Sequence, residues 1–173
     1  MSSGKSKVNW QDWSISAFEK AKKENKLILL DIYGSWCHWC HVMEEDCYED
    51  EDVADIINRK FVPIRVDTDK RPDINERYNQ GGWPSTVFLA ANGGIVAGYT
   101  FIPPEQMIPV LEQVAEYYNQ NKYKLDTILP ETSQPESAVP KKKEVNNDIA
   151  KDVVNEILPH YDAKNGGFGG EPK

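Results

Sequence analysis

The sequence predicts an α/β fold in which a central mixed β-sheet is flanked by helices. An almost continuously apolar run, Leu27 to Tyr33, is typical of a strand that is buried on both faces. Segments with helical spacing of apolar residues lie before and after this run, and β-type segments with glycine turns follow it. Strands that alternate with helical patterns in this way indicate a layered α/β domain.

The predicted elements follow in chain order. A first helix runs through Asn25, capped by Ser14 or Ser16, because Ser16 and Glu19 have the spacing of a capping box. The central strand comes next and leads into a helix that opens at a pair of cysteines. The later elements are a helix opened by Glu49–Asp52, a strand at Phe61–Val66, a short helix at Asp73–Tyr78, strands at Ser85–Ala90 and Ile95–Thr100, and a last helix with Met107, Leu111 and Tyr118 on one face.

Two prolines constrain this pattern. Pro63 removes a hydrogen-bond donor from its strand, which predicts that one edge of the strand is unpaired. Pro109 fits the last helix only within the first turn, since a deeper proline removes a backbone hydrogen bond and clashes with the preceding turn. We therefore expect Pro109 close to the start of that helix.

Cys37 and Cys40 are the residues that point most directly to a chemistry. At the start of a helix, residues i and i+3 lie about 5–6 Å apart, which is within the Cα range of an unstrained disulfide. Free backbone N–H groups and the helix dipole favour an anion at Cys37, so the pKa of its thiol is expected to be low. The pair predicts redox chemistry, with Cys37 as the accessible nucleophile and Cys40 as the buried resolving thiol.

The same cysteine spacing also supplies half of a zinc site, which is the weaker alternative. A four-ligand site needs a second pair of ligands, and the remaining candidates are Cys47, His38, His41 and the distant His160. Ligands packed into one helical turn cannot easily point at one tetrahedral centre. We expect no metal and no cofactor, and we expect Cys47 to be an inert, buried thiol.

Asp31 interrupts the apolar run of the central strand. An aspartate is disfavoured in a strand and costly to bury unless it has a partner or a purpose. One interpretation is a carboxylate that reaches solvent at the end of the strand. The other is a buried carboxylate with a raised pKa, which moves a proton to or from Cys40 during exchange.

Tryptophans lie close to the cysteines and to the glycine turn that precedes the third strand. Trp36, Trp39 and Trp83 could form an apolar collar around the thiols that receives the backbone of a substrate. They could equally be packing residues of the domain. The sequence alone leaves both interpretations open.

The order of these features resembles the thioredoxin fold. A strand with Asp31 is followed by Trp36-Cys37-x-x-Cys40, and Pro84 later precedes an apolar strand. Three motifs resemble, more narrowly, the N-terminal thioredoxin-like domain of YyaL-type proteins, which are relatives of spermatogenesis-associated protein 20. The motifs are Cys37–Glu44, Val66–Asp73 and Gly81–Pro84, and the resemblance runs from about Trp10 to Tyr118.

The resemblance implies a role for each site residue. Cys37 attacks, Cys40 resolves, Asp31 assists, and Pro84 follows a cis peptide bond beside backbone that can pair with a substrate strand. The substrate-binding candidates are Trp36, Trp39, Trp83 and Pro84. The implied function is a thiol–disulfide oxidoreductase acting on a protein or small-molecule thiol or disulfide. The alternative is a non-catalytic redox-sensing or interaction module of a larger carbohydrate-active protein.

The chain departs from thioredoxin proper in several features. His38 and Trp39 stand between the cysteines, where a thioredoxin has Gly-Pro. The usual lysine near the buried aspartate is not evident, and Pro63 stands in that part of its strand. Pro63 also predicts that the extra N-terminal strand of thioredoxins is short or absent here. Redox potential and partner therefore do not transfer from the resemblance.

Composition divides the chain into three parts. The predicted parts are a thioredoxin-like domain at 1–128, a linker at 129–147 and the truncated start of a second, helical domain at 148–173. Pro130–Lys143 has the proline, serine, threonine and charge content of a linker, and an amphipathic helix with nothing to bury its apolar face follows it. In the resembling family, a glycine-rich segment similar to Asp162–Lys173 begins a large helical-barrel domain resembling sugar epimerases and glycan hydrolases. We expect such a domain as partner in a longer chain.

Length and charge limit the classes of function. The chain has 173 residues with a hydrophobic fraction of 39%, enough for a core, and its net charge of −8 argues against nucleic acid. No apolar stretch approaches the roughly 20 residues of a membrane helix, and Met1–Lys7 contains no apolar h-region that would mark secretion. We expect no membrane partner and a cytoplasmic location, where a cysteine pair is more often catalytic or redox-sensing than structural. The acidic run Glu44–Asp52 is interpreted as a solvated face, and Arg71 with Asp73 as a local salt bridge.

Overall fold

The computed structural model describes residues 6–128 and 148–161. The chain divides into two units, with the boundary between Glu136 and Ser137. The predicted linker at 129–147 and the glycine-rich segment after Tyr161 lie outside the described residues. The first unit contains a four-stranded mixed sheet with helices on both faces, which confirms the predicted fold class.

The predicted strands and helices are all present, with small shifts at their ends. In the first unit they are α1 (Ile15–Glu24), β1 (Leu27–Tyr33), α2 (His38–Met43), a π-helix (Glu44–Tyr48), α3 (Glu51–Lys60), β2 (Phe61–Asp67), α4 (Pro72–Tyr78), β3 (Ser85–Leu89), β4 (Ile95–Tyr99) and α5 (Pro104–Ile128). The π-helix continues α2 without a break. The second unit contains α6 (Asp148–Ile157) and a 3₁₀ turn (Leu158–His160).

Side-chain caps fix the starts of α1 and α3. Ser14 rather than Ser16 caps α1, and its Oγ accepts a hydrogen bond of 3.3 Å from the N–H of Ala17. Asn25 closes the same helix in the left-handed conformation, with φ of 53°. The carboxylate of Asp50 accepts two N–H groups of the first turn of α3, each at 3.0 Å. The acidic run therefore opens a helix, as the sequence predicts.

The strand order in the sheet is β2-β1-β3-β4. β1 pairs with β2 in parallel and with β3 in antiparallel orientation. In this register Asp31 lies opposite Arg65 on one side and Thr86 on the other. Since directly opposed residues point to the same face of a sheet, these three polar side chains share one face.

β2 forms the edge of the sheet, where the sequence predicts an unpaired edge. A single bridge at Gln11 extends the sheet beyond it: the N–H of Gln11 donates to the carbonyl of Pro63 at 3.0 Å, and Arg65 N–H donates to the carbonyl of Gln11 at 3.1 Å. Pro63 therefore presents its backbone to the outer side, where a missing N–H costs no bond to β1. The expectation of a shortened N-terminal strand is confirmed.

Apolar side chains fill both faces of the sheet. The even-numbered residues of β1 pack with α1 and α4. The odd-numbered residues Leu27 and Leu29 pack with Met43 of α2 and with the π-helix, α3 and α5. Because side chains alternate along a strand, Asp31 belongs to the face that α2 and the π-helix cover.

The expected place of Pro109 is wrong. α5 begins at Pro104, so Pro109 lies in the second turn rather than the first. A proline at the first helical position has a suitable fixed φ, which explains the earlier start. Pro109 has no N–H to donate to the carbonyl of Glu105. Packing of the fully buried Met107 and Leu111 on either side of it compensates for the missing hydrogen bond.

The second unit consists of one helix and the turn that follows it. Val153, Val154 and Ile157 are exposed on α6. Neither α6 nor any other helix within the described ranges combines the length and apolar character needed to cross a membrane. The division into domains at 1–128 and 148–173 stays a prediction.

Candidate redox site

Cys37 and Cys40 are joined by a disulfide, with their Cα atoms 5.3 Å apart. Cys37 is the N-cap of α2, and its Sγ accepts a hydrogen bond of 3.2 Å from the N–H of Cys40. The sulfur of Cys37 thus faces the free backbone donors at the helix start, as the spacing predicts. Hydrogen bonds of this kind stabilise a thiolate relative to a thiol.

The predicted difference in exposure between the cysteines is wrong for the disulfide form. Cys37 is 6% exposed and Cys40 is 8% exposed, so both residues are buried. The physical reason is that the disulfide and the capping hydrogen bond both hold the Cys37 sulfur against the first turn of α2. The exposed surface at this end of the sheet is formed by neighbouring aromatic residues instead.

Trp36 and Trp83 form an exposed aromatic pair beside the disulfide. Their ring centroids are 5.2 Å apart at an interplanar angle of 75°. The indole Nε1 of Trp36 donates to Oδ2 of Asp69 at 3.1 Å, and that of Trp83 donates to Oδ1 of Asn75 at 3.0 Å. These polar anchors fix the orientation of both rings while their apolar faces stay accessible.

Trp39 belongs to a separate contact. Its ring packs edge-on against Phe101, with a centroid distance of 5.3 Å, and lies 5.6 Å from the ring of His38. The three tryptophans therefore form two groups rather than one collar. Sequence reasoning missed Phe101, because a single aromatic residue in a loop gives no local signal of its partner. We refer to these two groups together, Trp36 with Trp83 and Trp39 with Phe101, as the aromatic surface.

Gly34 allows the close approach of Trp36 to the loop after β1. A Cβ atom at Gly34 would lie 2.8 Å from Cε2 of the Trp36 ring, closer than carbon atoms can pack. The ring therefore lies directly against the backbone of this loop. Any larger residue at this position has to displace it.

Pro84 lies at the same end of the sheet as the disulfide. It is buried, follows a cis peptide bond from Trp83 and comes directly before β3. Because β3 runs antiparallel to β1, its first residues lie beside the last residues of β1. After the last residue of β1, Tyr33, the chain continues through Trp36 to Cys37, so Pro84 and Cys37 lie at the same end of the sheet.

Asp31 is buried, which excludes the interpretation that it reaches solvent. It is 2% exposed, and its Oδ2 accepts a hydrogen bond of 2.8 Å from Nε of Arg65. Its Oδ1 is buried and has no hydrogen-bond partner within the described part of the chain. Burial raises the pKa of Asp31 above its ordinary value, and the positive charge of Arg65 opposes this rise.

Arg65 is the cation that pairs with the buried Asp31. It was not predicted from the sequence, whereas Asp31 was. Its guanidinium also donates to Glu44 and lies 4.1 Å from the ring centroid of Trp10. A signal was present, since an arginine in an apolar strand needs a partner just as Asp31 does. Pairing the two required the strand register, which a single sequence does not give.

Glu44 corrects the prediction that the whole acidic run is a solvated face. Its side chain is only 25% exposed and binds the guanidinium of Arg65. Its backbone N–H donates to the carbonyl of Cys40, one turn earlier. The helix that carries Cys40 is therefore linked to Asp31 through Glu44 and Arg65.

Tyr48 extends this polar cluster towards β3. Its hydroxyl oxygen lies 3.4 Å from Oγ1 of Thr86, the residue that faces Asp31 across the sheet. Burial raises the pKa of Tyr48 well above its ordinary value, and the negative charge of Asp31 adds to the rise. The hydroxyl stays neutral and acts as a hydrogen-bonding group.

Two predictions outside the redox pair are confirmed. Cys47 is buried, its thiol donates to the carbonyl of Ile102 at 3.7 Å, and burial raises its pKa to about 11. Arg71 binds both carboxylate oxygens of Asp73, at 2.8 and 2.6 Å, as a local salt bridge. Across the described residues, no three His, Cys, Asp or Glu side chains are grouped to hold a metal ion.

Comparisons with known proteins agree with this geometry. Residues 2–134 match the family model Thioredox_DsbH, whose description is "Protein of unknown function, DUF255". Spermatogenesis-associated protein 20 of Homo sapiens is 33% identical over 190 residues, which cover 96% of this chain and 24% of that protein. The chain thus spans about a quarter of the length of such relatives.

Solved structures share the fold of the first unit. A structure titled "DsbH Oxidoreductase" has a TM-score of 0.57 at 22% identity and covers 63% of this chain and 85% of its own. A thioredoxin from Thermus thermophilus has a TM-score of 0.58 at 20% identity and covers 70% and 97%. At these identities the likeness shows the fold alone. The chain therefore belongs to the Thioredox_DsbH (DUF255) family and has a thioredoxin-like fold with a Cys37–Cys40 disulfide.

Proposed function

We propose that this chain is a thiol–disulfide oxidoreductase that works by exchange at Cys37 and Cys40. The observation that carries the proposal is the disulfide at the start of α2, in which the Cys37 sulfur accepts the backbone N–H of Cys40. A thiolate formed at Cys37 keeps this donor and the positive end of the helix dipole. That stabilisation raises the fraction of Cys37 that is present as the reactive thiolate near neutral pH and makes Cys37 a better leaving group.

In the reducing direction, the cycle takes two exchange steps. The Cys37 thiolate attacks one sulfur of a substrate disulfide, which forms a mixed disulfide and releases the first substrate thiolate. The Cys40 thiol then loses its proton and attacks the Cys37 sulfur, which breaks the mixed disulfide and releases the second thiolate. The cysteine pair is oxidised by two electrons and the substrate disulfide is reduced by two. An external dithiol returns the pair to its reduced form.

Asp31 is proposed to take the proton of Cys40 in the second step. Support comes from its place on the sheet face that α2 covers and from Oδ1, which accepts no hydrogen bond from any of the described residues. A carboxylate with a raised pKa is a better base near neutral pH than an ordinary aspartate. After the step, the same group can return the proton to the released substrate thiolate.

The aromatic surface and Pro84 are proposed to bind the substrate. Trp36 and Trp83 are held by polar anchors, so binding costs little side-chain ordering. The backbone of Trp83, directly before β3, is proposed to pair with an extended segment of the substrate. An exposed apolar surface of this kind favours a polypeptide over a small thiol.

A disulfide reduction assay tests the proposed function. Insulin is mixed with dithiothreitol, and the purified chain should accelerate its reduction well above dithiothreitol alone. Cys37→Ser should abolish the acceleration, and Cys40→Ser should accumulate a mixed disulfide on Cys37 that mass spectrometry detects. Cys47→Ser is the matched control and should keep full activity, because Cys47 is a buried thiol outside the disulfide and donates to the carbonyl of Ile102.

The same assay decides against the proposal if the folded wild-type chain gives no acceleration. The Cys37–Cys40 pair would then support the alternative, a redox-sensing or interaction module of a larger carbohydrate-active protein. The second, helical domain proposed to begin at 148–173 would be the partner in that case.

A further inference from the structure

The guanidinium of Arg65 is shared between two carboxylates. Its Nε donates to Oδ2 of Asp31 at 2.8 Å, and one terminal nitrogen donates to Oε2 of Glu44. An arginine can bind both oxygens of a single carboxylate through two parallel N–H groups. Here the two arms go to different residues, and Oδ1 of Asp31 stays buried without a partner among the described residues.

We propose that Glu44 is a positioning residue that keeps Oδ1 of Asp31 open for the proton of Cys40. Glu44 does so by holding one arm of the Arg65 guanidinium, which prevents a two-armed pair between Arg65 and Asp31. Without Glu44, the free arm would turn to Oδ1 and occupy the atom that has to receive the proton. This inference rests on the proposed exchange function and deepens it.

The position of Glu44 suits this role. Its backbone N–H donates to the carbonyl of Cys40, so the acceptor for the guanidinium arm is fixed to the helix that carries the resolving cysteine. Cζ of the guanidinium lies 4.1 Å from the ring centroid of Trp10 and 5.4 Å from that of Tyr48, so these rings pack against it without accepting its terminal N–H groups, which leaves the Glu44 carboxylate as the acceptor for the second arm. The carboxylate of Glu44 is thus the group that decides where the second arm points.

The charged and titratable groups that face Asp31 come from two packed elements. Arg65 lies on β2, and Glu44 and Tyr48 lie on the π-helix. Thr86, which faces Asp31 from β3, is neutral. The negative charge of Glu44 raises the pKa of Asp31, and Arg65 lowers it. Removing Glu44 therefore acts through its charge and through the released arm, and an experiment has to separate these two effects.

Two substitutions of Glu44 separate them. Glu44→Gln removes the charge and keeps an oxygen acceptor for Arg65, whereas Glu44→Ala removes both. The pKa of Asp31 is measured from the pH dependence of its carboxyl ¹³C resonance in the disulfide form, where neither cysteine of the pair titrates. Both variants should lower this pKa, and Glu44→Ala should lower it further because the released arm binds the carboxylate.

The rate of the resolving step gives a second readout. The attack of Cys40 on a preformed mixed disulfide should slow by about tenfold in Glu44→Ala, a partial loss of the 10²–10⁴-fold that a placed acid–base group supplies. Glu44→Gln should slow it less. Glu45→Ala is the matched control, because Glu45 is an exposed carboxylate on the same helix, and it should leave both the pKa and the rate unchanged.

Equal pKa values of Asp31 in the Gln and Ala variants would overturn the inference, since charge alone would then explain the effect. If Glu44→Ala does not fold, Glu44→Leu is used in its place, because it also removes the acceptor for the guanidinium arm. The measurement also separates this inference from the proposed function. If the chain is inactive in the insulin assay, the proposed function is wrong. The pKa of Asp31 in the Glu44 variants still shows whether Glu44 keeps the two guanidinium arms of Arg65 on different carboxylates.

Discussion

Arg65 in β2 lies directly opposite Asp31 in β1, and its Nε donates a 2.8 Å hydrogen bond to the buried carboxylate. This ion pair lies on the sheet face covered by α2 and the π-helix, where Asp31 is buried and the Arg65 side chain is 22% exposed. Breaking a buried pair by removing one partner is strongly destabilising, because the remaining charge is left without compensation. The pair therefore has consequences for stability that can be measured independently of any activity.

The first prediction concerns Arg65→Met. At pH values where Asp31 is ionised, this substitution should lower the free energy of unfolding by about 3–5 kcal/mol. The loss should shrink in acid, since Asp31 can then become neutral. Urea unfolding at several pH values measures it. The double variant Arg65→Met with Asp31→Leu should recover much of the loss, and a loss that is independent of pH would argue against a charge effect.

The second prediction concerns the pH dependence of stability due to Asp31. Its folded pKa lies above the unfolded value near 3.9, so the native state binds the proton more tightly. This contribution to stability is complete below the unfolded pKa and is lost as pH rises to the raised folded pKa. Asp31→Asn should remove this decline.

Denaturant melts of the wild type and Asp31→Asn across acid to neutral pH test this sign. The rate of the resolving step should also fall in Asp31→Asn, because the amide cannot accept the proton of Cys40. A variant with unchanged kinetics and lower stability at every pH would show that Asp31 has only a structural role.

The third prediction concerns substrate binding by Trp36. Trp36→Ala should raise the KM for a disulfide-containing polypeptide by about tenfold, the effect of losing an anchoring aromatic side chain worth about 1.4 kcal/mol. The KM for a small disulfide should change little, since it has no extended segment to contact the aromatic surface. Steady-state kinetics with both substrates measure the difference.

Two further variants sharpen the test of the aromatic surface. Gly34→Ala keeps every aromatic ring but displaces that of Trp36, because the added Cβ would lie 2.8 Å from its Cε2 atom. This variant should therefore also raise the KM for the polypeptide substrate. Tyr117→Ala removes an exposed aromatic side chain from α5 and is the matched control. An equal effect of Tyr117→Ala would mean that the aromatic surface has no special role.

The fourth prediction concerns the reactivity of Cys47. Burial raises its pKa to about 11, and the thiolate is the reactive form, so native Cys47 should resist alkylation by iodoacetamide at pH 8. Thiolate content rises with pH, and labelling should therefore begin only in strongly alkaline solution or after denaturation. Mass spectrometry of the Cys37→Ser, Cys40→Ser double variant follows this single thiol. Rapid labelling of the folded chain would contradict the buried position.

Local patterns in the sequence determined the elements of the fold and the centre of the site. The apolar run of β1, the helical spacing of apolar residues and the cysteine pair at a helix start each depend on neighbours a few residues apart. The same holds for Pro63, whose missing N–H predicts a strand edge. For Asp31 the local pattern left open whether the carboxylate reaches solvent or is buried, and the structure shows that it is buried. The family resemblance added the cis peptide bond before Pro84, which local spacing does not require.

Only the tertiary structure decided which distant side chains meet. Arg65 and Asp31 are 34 residues apart, and Arg65 and Glu44 are 21 residues apart. Their contact depends on strand register and on how the π-helix packs against the sheet, and no local pattern encodes either. Burial of Cys37 and the pairing of Trp39 with Phe101 have the same origin. Local spacing places the cysteine pair at a helix start and Asp31 in a strand. Long-range packing decides which distant side chains contact them, and these contacts set the pKa of Asp31 and the solvent exposure of Cys37.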